Sequence, residues 1–146
     1  MDKILYLKAL REKQIRSCRN SFWEFCKTLS PTLKDGKKFF DEDKQYLKEI
    51  ATELQDLVED KNPKLKGICI SIPPRHGKSL MAQYFNAWLI GKNNNIQIAN
   101  ISYSPEISKP FSRNVRNMVS ANSKYEDLDI EYQDIFPGIE ISKDQK

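Results

Sequence analysis

Apolar residues recur at helical spacing through most of the first 60 residues of the chain. Residues 2 to about 18 carry such a stripe, with lysines and arginines between its members. Ser21 and Glu24 have the spacing of a capping box, which opens a second helix, and Pro31 ends that helix. Asp41 caps a predicted third helix that runs to about residue 60, because leucine and isoleucine return there every three or four positions.

The pattern changes in the second half of the chain. Two short runs rich in β-branched residues, 67–72 and 96–102, flank a helical stretch over 80–90 that Gly91 is expected to end. A strand, a helix and a second strand joined at this length form a βαβ unit, so the two strands are predicted to be parallel. A further helix is predicted over 108–120. The expected fold class is therefore α/β.

A loop with phosphate-binding character connects the first predicted strand to its helix. Its sequence is Pro73-Pro74-Arg75-His76-Gly77-Lys78-Ser79. A helix N-terminus offers unpaired N–H groups and the positive end of the helix dipole, and both attract phosphate. Gly77 allows close approach of the backbone, Lys78 brings charge to the β- and γ-phosphates, and the Ser79 hydroxyl suits Mg²⁺. Ile72 stands where the standard motif has its first glycine, and a plain surface turn is the alternative.

This loop resembles the variant Walker A loop of tailed-phage terminase large subunits, the ATPases that drive DNA packaging. That family also lacks the first glycine and carries an arginine inside the loop. The resemblance covers roughly residues 20 to 146 and implies a partial P-loop NTPase fold. Residues 1–62 would form a helical N-terminal region, and residues 63–146 an incomplete ATPase core. The implied cofactors are ATP and Mg²⁺.

The resemblance also implies roles for single residues. Arg75 would contact the γ-phosphate in cis and, with Lys78, carry the catalytic charge. The nucleotide-binding positions would be Pro74, Arg75, His76, Gly77, Lys78 and Ser79, with Ser79 also ligating Mg²⁺. Gln45, near the start of the third helix, would approach the adenine. The alternatives are an exposed loop cation at Arg75, a loop filler at His76 and a solvent-facing amide at Gln45.

A second segment carries the same resemblance. Ser102-Tyr103-Ser104 follows the second predicted strand, at the edge where open α/β sheets bind ligands. Arg113 and Arg116 lie three residues apart on the next helix and share a face. They would face DNA phosphates or a neighbouring subunit, and an ordinary solvated face is equally compatible with the pattern. Pro110 departs from the family pattern and puts the first turn of that helix in doubt.

The resemblance implies double-stranded viral DNA as a partner, together with a small terminase subunit, a portal and further copies of the chain. No apolar run that ends in an acidic pair follows Ile96, so a Walker B strand is missing. Farther on, four acidic residues are scattered among polar ones and make a poor substitute: Asp127, Asp129, Glu131 and Asp134. We therefore expect a truncated fragment that binds ATP weakly and has negligible ATPase and no nuclease activity. Another P-loop NTPase, such as a helicase-like protein, and a non-catalytic interaction module or prophage relic are the alternatives.

Composition sets limits on these interpretations. The 146 residues make at most one ordinary domain, and a net charge of +4 does not by itself indicate nucleic-acid binding. A single histidine excludes a multi-histidine metal site. Cys18, Cys26 and Cys69 are irregularly spaced and are expected to be small buried residues in a reducing compartment. No membrane-spanning run or signal pattern is present, so a cytoplasmic location is expected, and the resemblance implies that the cell is a bacterial host.

Overall fold

The computed structural model describes residues 2–120 and 130–140, and helices dominate both ranges. The elements in chain order are α1 (Lys3–Asn20), α2 (Phe22–Thr28), α3 (Gln45–Val58), α4 (Lys78–Lys92), α5 (Pro105–Ser120) and α6 (Tyr132–Ile135). All four long helices fall within or around the stretches whose apolar spacing predicts a helix. Among the described residues, none of the helices combines the length and the apolar character that crossing a membrane requires.

Ser21 both ends α1 and begins α2. Its backbone N–H donates to the Ser17 carbonyl at 2.8 Å, and its hydroxyl accepts from the Glu24 N–H at 3.3 Å. The predicted cap is thus confirmed for the serine side chain. The reciprocal hydrogen bond of a capping box would run from the Ser21 N–H to the Glu24 carboxylate. It does not form, because the Ser21 N–H already donates to Ser17. The Glu24 carboxylate pairs with Lys27 at 2.7 Å instead.

Helix α4 begins two residues before the predicted start, and the starts of α3 and α5 differ more. Asp41 does not cap α3: its carbonyl accepts from the Lys44 N–H at 3.0 Å in a tight turn, and the helix begins after that turn, at Gln45. Helix α5 begins earlier than expected, at Pro105. Proline is well tolerated there, because the N–H of a first helical residue has no partner within the helix. The Ser104 hydroxyl accepts from the Glu106 N–H at 3.2 Å and caps this end. Pro110 lies inside the helix at an exposed position.

Gly91 does not end α4, which continues to Lys92 and is capped at Asn93. The reason for a glycine here is a packing contact with a residue far along the chain. A Cβ built on Gly91 would lie 2.2 Å from Cδ2 of Phe136. The absence of a side chain therefore lets the aromatic ring lie directly on the helix backbone.

The predicted α/β fold, a partial P-loop NTPase fold with parallel strands, is wrong. The segments 67–72 and 96–102 are extended, but they form no β-ladder within the described ranges. Among the described residues, a single isolated β-bridge is present, and it lies elsewhere, between Thr32 and Lys38. Ile101 and Tyr103 are more than nine-tenths exposed. A strand is stabilised by hydrogen bonds to a neighbouring strand, and each run lacks one among the described residues.

Helices and aromatic side chains build the core instead. Helix α2 lies at the centre and packs on α1, α3 and α4, while α5 packs on α4 and α6 on α1 and α5. The buried aromatic residues are Phe22, Trp23, Phe25, Phe40, Tyr84, Trp88, Tyr132 and Phe136. This core draws on both predicted regions of the chain, whose division at residue 62 stays a prediction.

The polar atoms of the buried rings find backbone partners. The Trp88 indole N–H donates to the Cys18 carbonyl at 3.0 Å, and the Tyr132 hydroxyl donates to the Ala87 carbonyl at 2.8 Å. The Tyr84 hydroxyl donates to the Leu29 carbonyl at 2.5 Å. These bonds tie α1, α2 and α6 to α4 and offset the cost of burying polar groups.

The cysteines divide into two classes. Cys18 and Cys26 are buried as predicted, and burial raises the pKa of both thiols, most strongly that of Cys26. Cys69 is exposed, so the prediction that it is buried is wrong. It lies on the outer side of the unpaired 67–72 segment, where its neighbours in sequence, and not Cys69 itself, face the helices.

Candidate phosphate-binding loop

The loop before α4 adopts two left-handed backbone conformations. Arg75 has φ of +64° and Gly77 has φ of +94°. Left-handed geometry costs an ordinary residue roughly 1–2 kcal/mol, so Arg75 is held in an unfavourable conformation whereas Gly77 is not. The His76 ring Nδ1 lies 2.9 Å from the Pro74 carbonyl oxygen and the His76 N–H donates to the Pro73 carbonyl at 3.4 Å. These contacts close the loop into a tight turn.

Gly77 is the N-cap of α4, and no side chain caps this helix end. The first helical bond runs from the Met81 N–H to the Gly77 carbonyl at 2.8 Å. The amides of Lys78, Ser79 and Leu80 therefore have no partner inside the helix. A helix of 15 residues also places the positive end of its dipole at these amides. The end of α4 is consequently suited to an anion.

Two cations stand at this helix end. The side chains of Arg75 and Lys78 are exposed, and neither takes part in a salt bridge in the part of the chain that the structure describes. The loop and the first turn of α4 surround an open cavity of about 500 Å³. Its lining is Phe39, Ile72, Pro73, Pro74, Arg75, Gly77, Lys78, Ser79 and Leu80. The cavity thus has a cationic rim and an apolar wall.

Phe39 forms part of that wall from outside the loop. Its ring lies against Gly77, and Lys44 Nζ sits 4.0 Å from the ring centroid while donating to the Phe39 carbonyl at 2.7 Å. The sequence interpretation did not include Phe39 or Lys44. The available signal was an apolar pair, Phe39-Phe40, at the end of an otherwise polar loop.

The start of α3 also reaches the loop. The Tyr46 hydroxyl donates to the His76 carbonyl at 3.3 Å, and the two rings are 6.4 Å apart. Gln45, the predicted adenine contact, is the first residue of α3 and is exposed. Its side-chain amide donates to the Glu42 carbonyl at 3.2 Å, so it engages its own helix start and no loop residue.

The loop fits a phosphate group better than it fits a metal ion by itself. Ser79 is exposed on the first turn of α4. Across residues 2–120 and 130–140 no group of three or more histidine, cysteine or acidic side chains is placed to hold a metal. The protein would therefore supply one hydroxyl to Mg²⁺, and the other ligands would be nucleotide oxygens and water, as is usual for this ion.

Other candidate residues lie apart from the loop. Arg113 and Arg116 are exposed on α5, and Arg116 lines a separate cavity with Ile90 and Ile139. The Asp134 carboxylate accepts from the Glu131 N–H at 2.9 Å at the start of α6 and pairs with Arg11 at 2.7 Å. These two acids therefore have structural partners. Asp127 and Asp129 lie outside the described residues.

Comparisons with known proteins were made at three levels. No protein-family model matches the sequence. No curated protein and no solved structure matches it either.

Proposed function

We propose that residues 73–79 bind the phosphate groups of a nucleotide, with ATP and Mg²⁺ as the ligands. The observation that carries this proposal is the left-handed Gly77 at the start of α4, next to the cations Arg75 and Lys78, which form no salt bridge with any other described residue. Free helix amides, the helix dipole and two cations at one cavity favour an anion with several negative charges. The extended segment before the loop contributes Ile72 to the cavity wall, although it joins no sheet within residues 2–120 and 130–140.

Each loop residue has a distinct role in this proposal. The amides of Lys78 and Ser79 donate to phosphate oxygens, and the Lys78 ammonium neutralises their charge. Arg75 reaches the terminal phosphate, while Ser79 ligates the Mg²⁺ that accompanies the nucleotide. Pro74 and His76 shape the turn. Gln45 and the neighbouring Tyr46 mark the side on which the base would lie.

The wider proposal is that the chain is an ATP-binding part of a terminase large subunit that packages viral DNA. It rests on the resemblance of the loop and of the Ser102 to Arg116 segment. Arg113 and Arg116 would then face DNA phosphates, and the small subunit and the portal would be partners. No acidic residue lines the loop cavity in the described part of the chain. Without a carboxylate to orient water, we expect negligible hydrolysis by this chain alone.

Isothermal titration with ATP and Mg²⁺ tests the nucleotide site. Lys78→Ala should weaken binding about tenfold or more, because a charge-assisted hydrogen bond is worth roughly 1.5–3 kcal/mol. Lys13→Ala is the matched control: it removes an exposed lysine on α1, away from the cavity and without a salt bridge in the described part of the chain, and should leave the affinity unchanged.

Two outcomes would contradict the nucleotide proposal. One is the absence of ATP binding to the folded protein, and the other is binding that Lys78→Ala and Lys13→Ala weaken equally. Either result would favour the alternative of a non-catalytic interaction module. The expected lack of turnover is tested separately, because steady phosphate release that Lys78→Ala abolishes would contradict it.

A further inference from the structure

The segment 67–72 has the alternation of a strand and is docked on one side. Ile68, Ile70 and Ile72 are half-buried, whereas Cys69 and Ser71 between them are exposed. Ile68 and Ile70 pack against the core, and the segment lines a groove of about 360 Å³ beside Tyr46, Glu49, Ile50 and Glu53 of α3. One face of the segment is therefore held on the helices and the other faces outward.

The edges of this segment carry unused hydrogen-bonding groups. From residue 66 to residue 75 no backbone N–H donates to another backbone carbonyl of the described chain. An extended, apolar segment with open edges pairs readily with another strand, because its N–H and C=O groups are already aligned. The packed isoleucines already hold the segment in an extended conformation. Pairing with a second strand therefore costs little conformational entropy.

Charges on and beside the segment indicate what that partner strand carries. Glu49 and Glu53 form no ion pair within the described ranges, and the same holds for Lys66. Lys66 is exposed and has the same parity as Ile68, so it lies on the same side of the extended segment as the isoleucines. A strand that pairs antiparallel with this edge and carries a basic residue opposite residue 72 thus complements these carboxylates, and residues 66–72 themselves have Lys66 at that position.

We propose that residues 67–72 form the interface of a homodimer, in which this segment pairs antiparallel with the same segment of a second copy. A two-fold axis requires the antiparallel arrangement, and it lies near Cys69. Tyr46 contacts His76, so the first turn of α3 lies beside the C-terminal end of the segment. Lys66 of the second copy then arrives next to Glu49. This proposal does not depend on nucleotide binding.

Analytical ultracentrifugation from low micromolar to near-millimolar concentration tests the dimer. We expect a concentration-dependent monomer–dimer equilibrium, because the paired edge is short. Ser71→Pro removes one backbone donor and should abolish dimerisation, whereas the matched Ser71→Ala keeps the donor and should not. Ser71 is exposed, and Ser71→Ala controls for the loss of its hydroxyl.

A charge exchange tests the register independently of folding defects in the proline variant. Glu49→Lys and Lys66→Glu should each weaken the dimer about fivefold, and the double variant should recover most of that loss. A short thiol cross-linker should join two copies through Cys69, since Cys18 and Cys26 are buried, and Cys69→Ser should prevent it.

A protein that stays monomeric at every concentration overturns the proposal. A dimer that is insensitive to Ser71→Pro, shows no recovery in the charge-exchanged double variant and is not cross-linked through Cys69 overturns it as well. Titration with ATP, performed on the Ser71→Pro variant, keeps the two proposals separate, because nucleotide binding should persist there while the dimer is lost.

Discussion

The ring of Phe39 lies against the backbone of Gly77, so that a Cβ at that position would come within 2.7 Å of ring atoms Cε1 and Cζ. Gly77 therefore satisfies two demands at once. Its φ of +94° excludes most side chains, and the aromatic wall leaves no space for one. The conformation of the candidate phosphate loop is thus coupled to a residue that precedes α3.

Gly77→Ala should destabilise the protein more than a comparable glycine replacement without a neighbour. Left-handed geometry costs roughly 1–2 kcal/mol and overpacking against Phe39 adds roughly 1–3 kcal/mol. Gly36→Ala is the matched control, since Gly36 has φ of +81° and nothing within 4 Å. Urea unfolding measures both changes. Equal losses of the free energy of unfolding for the two variants would show that Phe39 does not constrain Gly77.

Gly91→Ala should lower the free energy of unfolding, although alanine normally stabilises a helix interior by about 1 kcal/mol relative to glycine. The new Cβ would lie 2.2 Å from the Phe136 ring, which is buried and has little room to move. Thermal and urea unfolding of the single variant give the sign of the effect.

The background variant Phe136→Ala provides the control for Gly91. With the ring removed, Gly91→Ala should become neutral or stabilising, so the coupling between the two changes is large. A stabilising Gly91→Ala in the unaltered protein would instead support the sequence prediction that Gly91 only ends α4.

Stability should fall in alkaline solution because of the buried tyrosines. Burial raises the pKa of Tyr84 and of Tyr132 in the folded protein well above the ordinary value of 10.0. The unfolded chain therefore releases these protons first. The stabilisation is complete below about pH 10 and is lost as the pH rises above it.

Tyr84→Phe separates this pH effect from the hydrogen bond. At neutral pH the variant should lose about 1 kcal/mol, because the Leu29 carbonyl loses its donor. Above about pH 10 its free energy of unfolding should fall less steeply than that of the unaltered protein. Urea unfolding at a series of pH values measures this difference. An equal decrease of the free energy of unfolding with pH in the two proteins would contradict the prediction.

Local signals explain why the helices and the loop could be predicted. The apolar stripe of α3 and the Ser21 cap depend on residues a few positions apart, so both can be predicted from the local sequence. The same is true of Gly77 and the helix that follows it. Phe39 and Tyr46, which form the loop's surroundings, are distant in sequence, and nothing in the local pattern links them to the loop.

The sequence by itself determined the approximate positions of the four long helices, the burial of Cys18 and Cys26, and a helix start at the Gly77-Lys78-Ser79 loop. Only the tertiary structure decided that residues 67–72 and 96–102 form no β-ladder within the described chain and that Cys69 faces outward. It also decided that the Phe136 ring packs directly on the backbone of Gly91. The physical reason is that a helix satisfies its hydrogen bonds within one segment. A strand depends on a partner, and a close contact depends on the side chain that arrives from elsewhere.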